Sequence, residues 1–297
     1  MNERIAKAVG PDRIAIAYER LGRDSDPPVL LIMGVATQMV HWPEGFLEAL
    51  VDRGLQVIRF DNRDSGRSTH IVDGPIPDMA AALAGDFSSA SYTLSHMAAD
   101  TICLADALDL GSVHLVGASM GAYIAQTAAI EFPKRVRSLT SMMGTTGDPA
   151  VGQPHPETMQ ALFGGTPAVT REEVVAQAIR MAAIVGSPAY PVPEDEVANR
   201  ARVAFERDHD PLAAARQGIA SLASGDRTER LRQLDLPTLV IHGSADRMCD
   251  PSGGIATADA IPGARLMMID GMGHNLPGAL HGRIADAIAD VVQEGEE

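Results

Sequence analysis

Three residue types, met in the order serine, aspartate, histidine, carry the chemistry in this sequence. Ser119 stands in Gly117-Ala118-Ser119-Met120-Gly121. A nucleophilic serine needs a sharp turn that exposes its hydroxyl, a base to take its proton, and amide donors for the developing oxyanion. Gly-x-Ser-x-Gly supplies the turn, because the flanking glycines remove side chains that would collide with the neighbouring strand and helix. The pattern alone is short and recurs by chance. Its setting gives it weight: the apolar run Val113-His114-Leu115-Val116 leads in, and an Ala-rich helical stretch, Ala122 to Phe132, follows.

The base expected is His274, in Asp270-Gly271-Met272-Gly273-His274, just after the last apolar run. Two glycines beside it permit a tight loop that presents an imidazole over strand ends. His242 falls at the end of a strand and reads as a packed neighbour of the acid loop. His41, His70, His96, His114, His155, His209 and His281 read as surface or packing residues. The acid expected is Asp246, on the loop after Thr238-Leu239-Val240-Ile241, where it orients the imidazole and stabilises the imidazolium. Its rivals have other work: Asp250 caps the helix starting near Pro251, and Asp270 is a turn residue. For the oxyanion hole, one donor is the backbone N–H of Met120, the residue after the nucleophile. The other is that of Val35, in the turn Met33-Gly34-Val35 after the run Val29 to Met33.

These residues need a scaffold that brings strand ends to one rim. Short apolar runs at 29–33, 55–60, 113–116, 138–143, 238–241 and 265–269 read as buried strands. Helical spacing at 94–110, 122–132 and 281–292 falls between or after them. Alternation of this kind predicts an α/β fold with a mostly parallel central sheet covered by helices on both faces. The rhythm breaks from about 147 to 230, where turn signals and helical stretches (171–184, 194–206) occur without a buried strand. That segment is expected to be a helical cap inserted into a core formed by 1–146 and 231–297.

Composition narrows the partners. With 39 acidic and 24 basic residues the formal charge is −15, which argues against nucleic-acid and anionic-membrane binding. A hydrophobic fraction of 45% supports a real core. Cys103 and Cys249 have neither CxxC nor metal-ligand spacing, so no zinc site or disulfide framework is expected. The charged N-terminus carries no signal peptide pattern and no run is long enough to span a membrane; a cytoplasmic enzyme is expected.

With the triad placed, the chain resembles the α/β-hydrolase superfamily over nearly its whole length. Asp61-Asn62-Arg63-Asp64-Ser65-Gly66-Arg67-Ser68 is similar to that superfamily's Asp-x-Arg-Gly-x-Gly-x-Ser turn, with Asp64 where the first glycine is usual. That element is structural in the family. Met33-Gly34 replaces the common His-Gly at the oxyanion turn, and together with Asn-Arg-Asp it resembles the aclacinomycin methylesterase group and related bacterial macrolide esterases. The resemblance implies no metal and no cofactor. It implies a serine carboxylic ester hydrolase acting through an acyl-enzyme on an apolar or bulky polyketide- or macrolide-like ester or lactone.

Met33, Trp42, Met143 and Phe163 are expected to line the substrate pocket, methionine offering a flexible apolar surface for an irregular substrate. A cofactor-free haloperoxidase or perhydrolase and a carbon–carbon bond hydrolase use the same triad. A non-catalytic ligand-binding hydrolase fold has no need to keep all three residues. Dehalogenation on this fold uses a carboxylate nucleophile, and position 119 is serine.

Overall fold

The computed structural model describes residues 3–163 and 168–297, the side chain of Phe163 excepted. Its first half comprises β1 (Arg4–Val9), β2 (Ile14–Leu21), β3 (Pro28–Ile32), α1 (Glu44–Val51), β4 (Gln56–Phe60) and α2 (Met79–Leu83). Next come α3 (Leu94–Ala107), β5 (Val113–Ala118), α4 (Met120–Glu131) and β6 (Val136–Met142). Five helices follow with no strand among the described residues: α5 (Pro156–Phe163), α6 (Arg171–Val185), α7 (Glu194–Arg207), α8 (Ala213–Ala223) and α9 (Thr228–Leu231). The chain closes with β7 (Thr238–Gly243), α10 (Ser252–Ala260), β8 (Arg265–Ile269) and α11 (His281–Glu296).

The eight strands form one sheet in the order β1-β2-β4-β3-β5-β6-β7-β8. From β4 to β8 every pairing is parallel; β1/β2 and β2/β4 are antiparallel. The six runs read from the sequence are all strands. The antiparallel pair at the β1 edge went unread, because β1 is largely exposed and lacks the buried apolar run that marks the others.

Period-two alternation assigns each strand face to a core. In β3, Leu30 and Ile32 pack with α3 and α4 residues such as Met97 and Ile124. Val29 and Leu31 face the other way, onto Phe46 and Leu50 of α1 and Ile284 and Ile288 of α11. Both faces of the sheet are therefore dry, as a parallel sheet requires.

The five-helix stretch is tied to the turn at 61–68 by buried ion pairs. Arg207 of α7 binds Asp61 at 2.8 Å and Glu3 at 2.9 Å. Arg216 of α8 takes both oxygens of Asp64, at 2.8 and 3.0 Å. Asp64 adopts φ +58°, a left-handed conformation that the superfamily's usual glycine tolerates without cost. Here the aspartate is retained by its carboxylate, which Arg216 and the Tyr92 hydroxyl both bind. No helix among the described residues is long and apolar enough to cross a membrane.

Candidate active site

Parallel pairing gathers the chemistry-bearing loops at one rim. Ile32 pairs with Gly117 in the β3/β5 register, so the residues two further on, Gly34 and Ser119, leave the sheet side by side. The loops after β7 and β8 carry Asp246 and His274 from the same edge.

Ser119 lies between the last residue of β5 and the first of α4 with φ +57° and ψ −124°. This is strained backbone for a residue with a side chain, and it lifts the hydroxyl out of the strand-to-helix path. The flanking glycines make the turn sterically feasible. A Cβ at Gly117 would lie 2.1 Å from the Gly121 carbonyl oxygen, and one at Gly121 would lie 2.0 Å from that of Ile32. Strand and helix cross too closely for any side chain at either position.

His274 donates from Nδ1 to Oδ2 of Asp246 at 2.7 Å, leaving Nε2 free to accept a proton. The other carboxylate oxygen, Oδ1, accepts the backbone N–H groups of Met248 and Cys249, both at 2.9 Å. Burial would push the Asp246 carboxyl up. The imidazoles of His274 and His242 and the Cys249 amide outweigh it and hold the group well below the usual carboxylate range. Asp246 is thus ionised at any working pH.

His242 is wholly buried, with Nε2 2.8 Å from the Cys249 carbonyl oxygen and 3.5 Å from Asp246 Oδ2. A carbonyl only accepts, so Nε2 carries the proton and the ring braces the acid loop. Cys249 contributes its backbone to that loop; burial and the Asp246 charge push its thiol up and keep it protonated. Of the rival acids, Asp250 accepts the Ser252 amide at 2.9 Å ahead of α10, and Asp270 is exposed and accepts the Ser244 hydroxyl at 3.0 Å.

Met120 opens α4, so its amide has no acceptor within the helix. Val35 sits in the turn after β3, its side chain exposed. The Gly34 carbonyl, in the same peptide unit as the Val35 amide, accepts the Thr37 hydroxyl at 2.7 Å. In a trans peptide the N–H and C=O point oppositely, so Thr37 sets which way the Val35 N–H faces.

Sequence reasoning missed what holds this turn. Asn62 donates to the Met33 carbonyl at 2.9 Å, Ser65 to that of Thr37 at 2.6 Å, and Asp61 accepts the Met39 amide at 2.7 Å. The 61–68 turn, read only as structural, is the scaffold of the 33–39 loop. The five-helix stretch also grips the histidine loop: the His274 amide donates to the Val185 carbonyl at 2.7 Å, and Gly273 to the Ser187 hydroxyl at 2.8 Å.

The residues expected to line a pocket divide. Met33 is partly buried at the rim. Met143 and Trp42 are 4% and 1% exposed and belong to the core beneath α1 and α11, where Trp42 stacks on Phe46 at 5.7 Å. The side chain of Phe163 lies outside the described residues. One trio, Asp64, His70 and Asp210, has the spacing of a cation site. The Arg216 guanidinium already spans Asp64 and Asp210, supplying the positive charge there.

The chain matches the family described as α/β hydrolase fold over residues 27–277. It is 30% identical to the rhodomycin D methylesterase of Streptomyces peucetius, over 93% of this chain and 94% of that protein. It is 27% identical to a 2-hydroxy-6-oxononadienedioate/2-hydroxy-6-oxononatrienedioate hydrolase of Paraburkholderia xenovorans, over 89% and 86%. Among solved structures, a thermophilic esterase from Thermogutta terrifontis superposes with a TM-score of 0.72 at 24% identity, covering 100% of both chains.

Proposed function

The chain is a hydrolase of the α/β-hydrolase fold family, and from that premise we propose that it is a serine carboxylic ester hydrolase with Ser119, His274 and Asp246 as its triad. The observation that carries the reading is the 2.7 Å bond from His274 Nδ1 to an ionised Asp246, at the rim where β5 delivers Ser119. Nε2 of His274 takes the hydroxyl proton as Ser119 attacks the ester carbonyl. The amides of Met120 and Val35 hold the tetrahedral oxyanion, each donor of this kind contributing roughly 3 kcal/mol. His274 returns the proton to the leaving alcohol. Water then enters by the same route and hydrolyses the acyl-enzyme.

The helices within 147–230 form a cap over a core made of 1–146 and 231–297, and the substrate enters between cap and rim. The methylesterase relative directs the substrate assignment to a small alkyl ester, or a lactone, on a bulky apolar polyketide-like acid. The reading places the enzyme in the cytoplasm, which suits its two free thiols, Cys103 and Cys249.

Carbon–carbon bond hydrolysis is the second reading, favoured by the dienedioate hydrolase relative. A dioate carries two carboxylates and calls for cations. Three arginines beside the oxyanion loop are instead committed to the chain's own acids: Arg63 to Asp100 and Asp12, Arg207 to Asp61 and Glu3, Arg216 to Asp64 and Asp210. That commitment favours an uncharged ester.

A fluorophosphonate should label Ser119, and Ser119→Ala should lower kcat on p-nitrophenyl and methyl esters by about 10⁶-fold. Wild-type turnover by that variant would falsify the assignment. Faster turnover of a vinylogous diketone than of any ester would move the enzyme to the second class.

A further inference from the structure

The turn after β3 also contains a residue in the left-handed region. Ala36 adopts φ +57°, a conformation that residues with a Cβ take up only when their surroundings impose it. What imposes it comes from the cap. The Ala36 amide donates to Oε1 of Gln217 at 2.8 Å, and Nε2 of Gln217 donates to the Arg63 carbonyl at 2.9 Å. Gln217 lies in α8 and is fully buried. Its one amide therefore bridges the oxyanion loop and the 61–68 turn beneath it, using both of its ends.

The neighbouring contacts leave the loop little other freedom. Thr37 holds the Gly34 carbonyl on one side of the Val35 peptide, and the Gln217 bond holds the Ala36 amide on the other. Gln38 reaches the same cap, donating to the Ala204 and Asp208 carbonyls at 2.8 and 3.0 Å. Take away the Gln217 carbonyl and the Ala36 amide loses its acceptor, which frees the Val35–Ala36 peptide to turn. Val35 is then anchored on one side only, through Thr37, and its N–H drifts from the oxyanion.

We propose that Gln217 is a positioning residue for the oxyanion hole, so that the cap, besides covering the substrate, sets the geometry of transition-state stabilisation. This rests on the esterase reading above. It makes the cap a brace for the catalytic rim, consistent with its grip on the His274 loop through Val185 and Ser187.

The test uses the full-length enzyme with a p-nitrophenyl ester and with a trifluoromethyl ketone, which adds Ser119 and places a real oxyanion in the hole. Gln217→Leu keeps roughly the side chain's size and loses both the acceptor for Ala36 and the donor to the Arg63 carbonyl. It should lower kcat by about 10–100-fold, part of what complete loss of a donor costs, with KM within about threefold of wild type. Affinity for the ketone should fall by the same factor as kcat. Thr37→Val should behave alike. A folded Gln217→Leu with kcat within about twofold of wild type overturns the proposal, as does a loss confined to KM. Should Gln217→Leu not fold, Gln217→Asn, one methylene short, carries the same comparison with the same criteria. If wild-type Ser119 takes no fluorophosphonate, the esterase reading falls and this inference with it. Labelling and ester turnover in the wild type with an unaffected Gln217 variant sink the inference alone.

Discussion

Gly34 packs directly on Ser119: a Cβ at position 34 would sit 3.0 Å from the serine Cβ and 3.4 Å from its Oγ. The contact follows from the β3/β5 register, which pairs Ile32 with Gly117 and so sends the two loops out of the sheet as neighbours. In the proposed mechanism, a bare backbone beside Ser119 leaves room for the carbonyl under attack and lets the next amide, that of Val35, approach it.

Gly34→Ala is expected to fold normally, because Gly34 is not in the left-handed region and alanine can take its backbone conformation. The added methyl crowds Ser119, so kcat should fall about 10-fold or more while the melting temperature changes little. Steady-state kinetics beside a thermal melt checks this. Wild-type kcat would show that the loop yields freely.

Asp246→Asn tests the acid through its hydrogen-bond pattern. The Met248 and Cys249 amides select an acceptor at Oδ1, which leaves the asparagine NH₂ facing His274 Nδ1. A donor there forces the proton of a neutral imidazole onto Nε2, where it cannot accept from Ser119. The expected loss is about 10⁴-fold in kcat with an intact circular dichroism spectrum. A loss below tenfold would hand the acid's role to another residue.

His70 supplies a pH-dependent tie between the 61–68 turn and the segment that joins α7 to α8. Nε2 lies 3.1 Å from the Gly66 carbonyl and 3.0 Å from Asp208; Nδ1 lies 3.2 Å from Asp210. Burial would lower its pKa, but the Gly66 carbonyl and the carboxylates of Asp210, Asp208 and Asp64 outweigh this and raise it. A raised folded-state value means that protonation favours the folded form. The contribution is complete below the ordinary value of about 6.5 and is lost as pH rises through the raised one. His70→Gln should therefore lower the melting temperature by about 2 °C or more near pH 6, and by less near pH 9. A deficit that grows with pH would reverse the assigned sign.

Much of this enzyme is legible along the chain because its signals are local. A strand-to-helix turn needs glycines where strand and helix touch, and Gly117 and Gly121 declare it within five residues. Parallel strands buried on both faces announce themselves as apolar runs, and loops after such runs reach one rim. The edge strand β1 stayed silent, since its stability comes from pairing with β2 and its side chains are mostly exposed.

Order and type of residue thus determined the fold class and nominated the trio Ser119, Asp246 and His274. Only the tertiary structure decided what holds their loops in place. Gln217 and Ala36 are 181 residues apart in sequence, and neither belongs to a motif. Asn62, Ser65 and Asp61 form a recognisable turn, yet nothing in their spacing says that they grip the Met33–Met39 backbone. Met143 and Trp42 likewise went to the core, because hydrophobicity alone does not tell a pocket wall from a packed interior. Positional chemistry of this kind is carried by long-range hydrogen bonds, whose partners are chosen by the packing of whole elements and leave no periodicity in the chain.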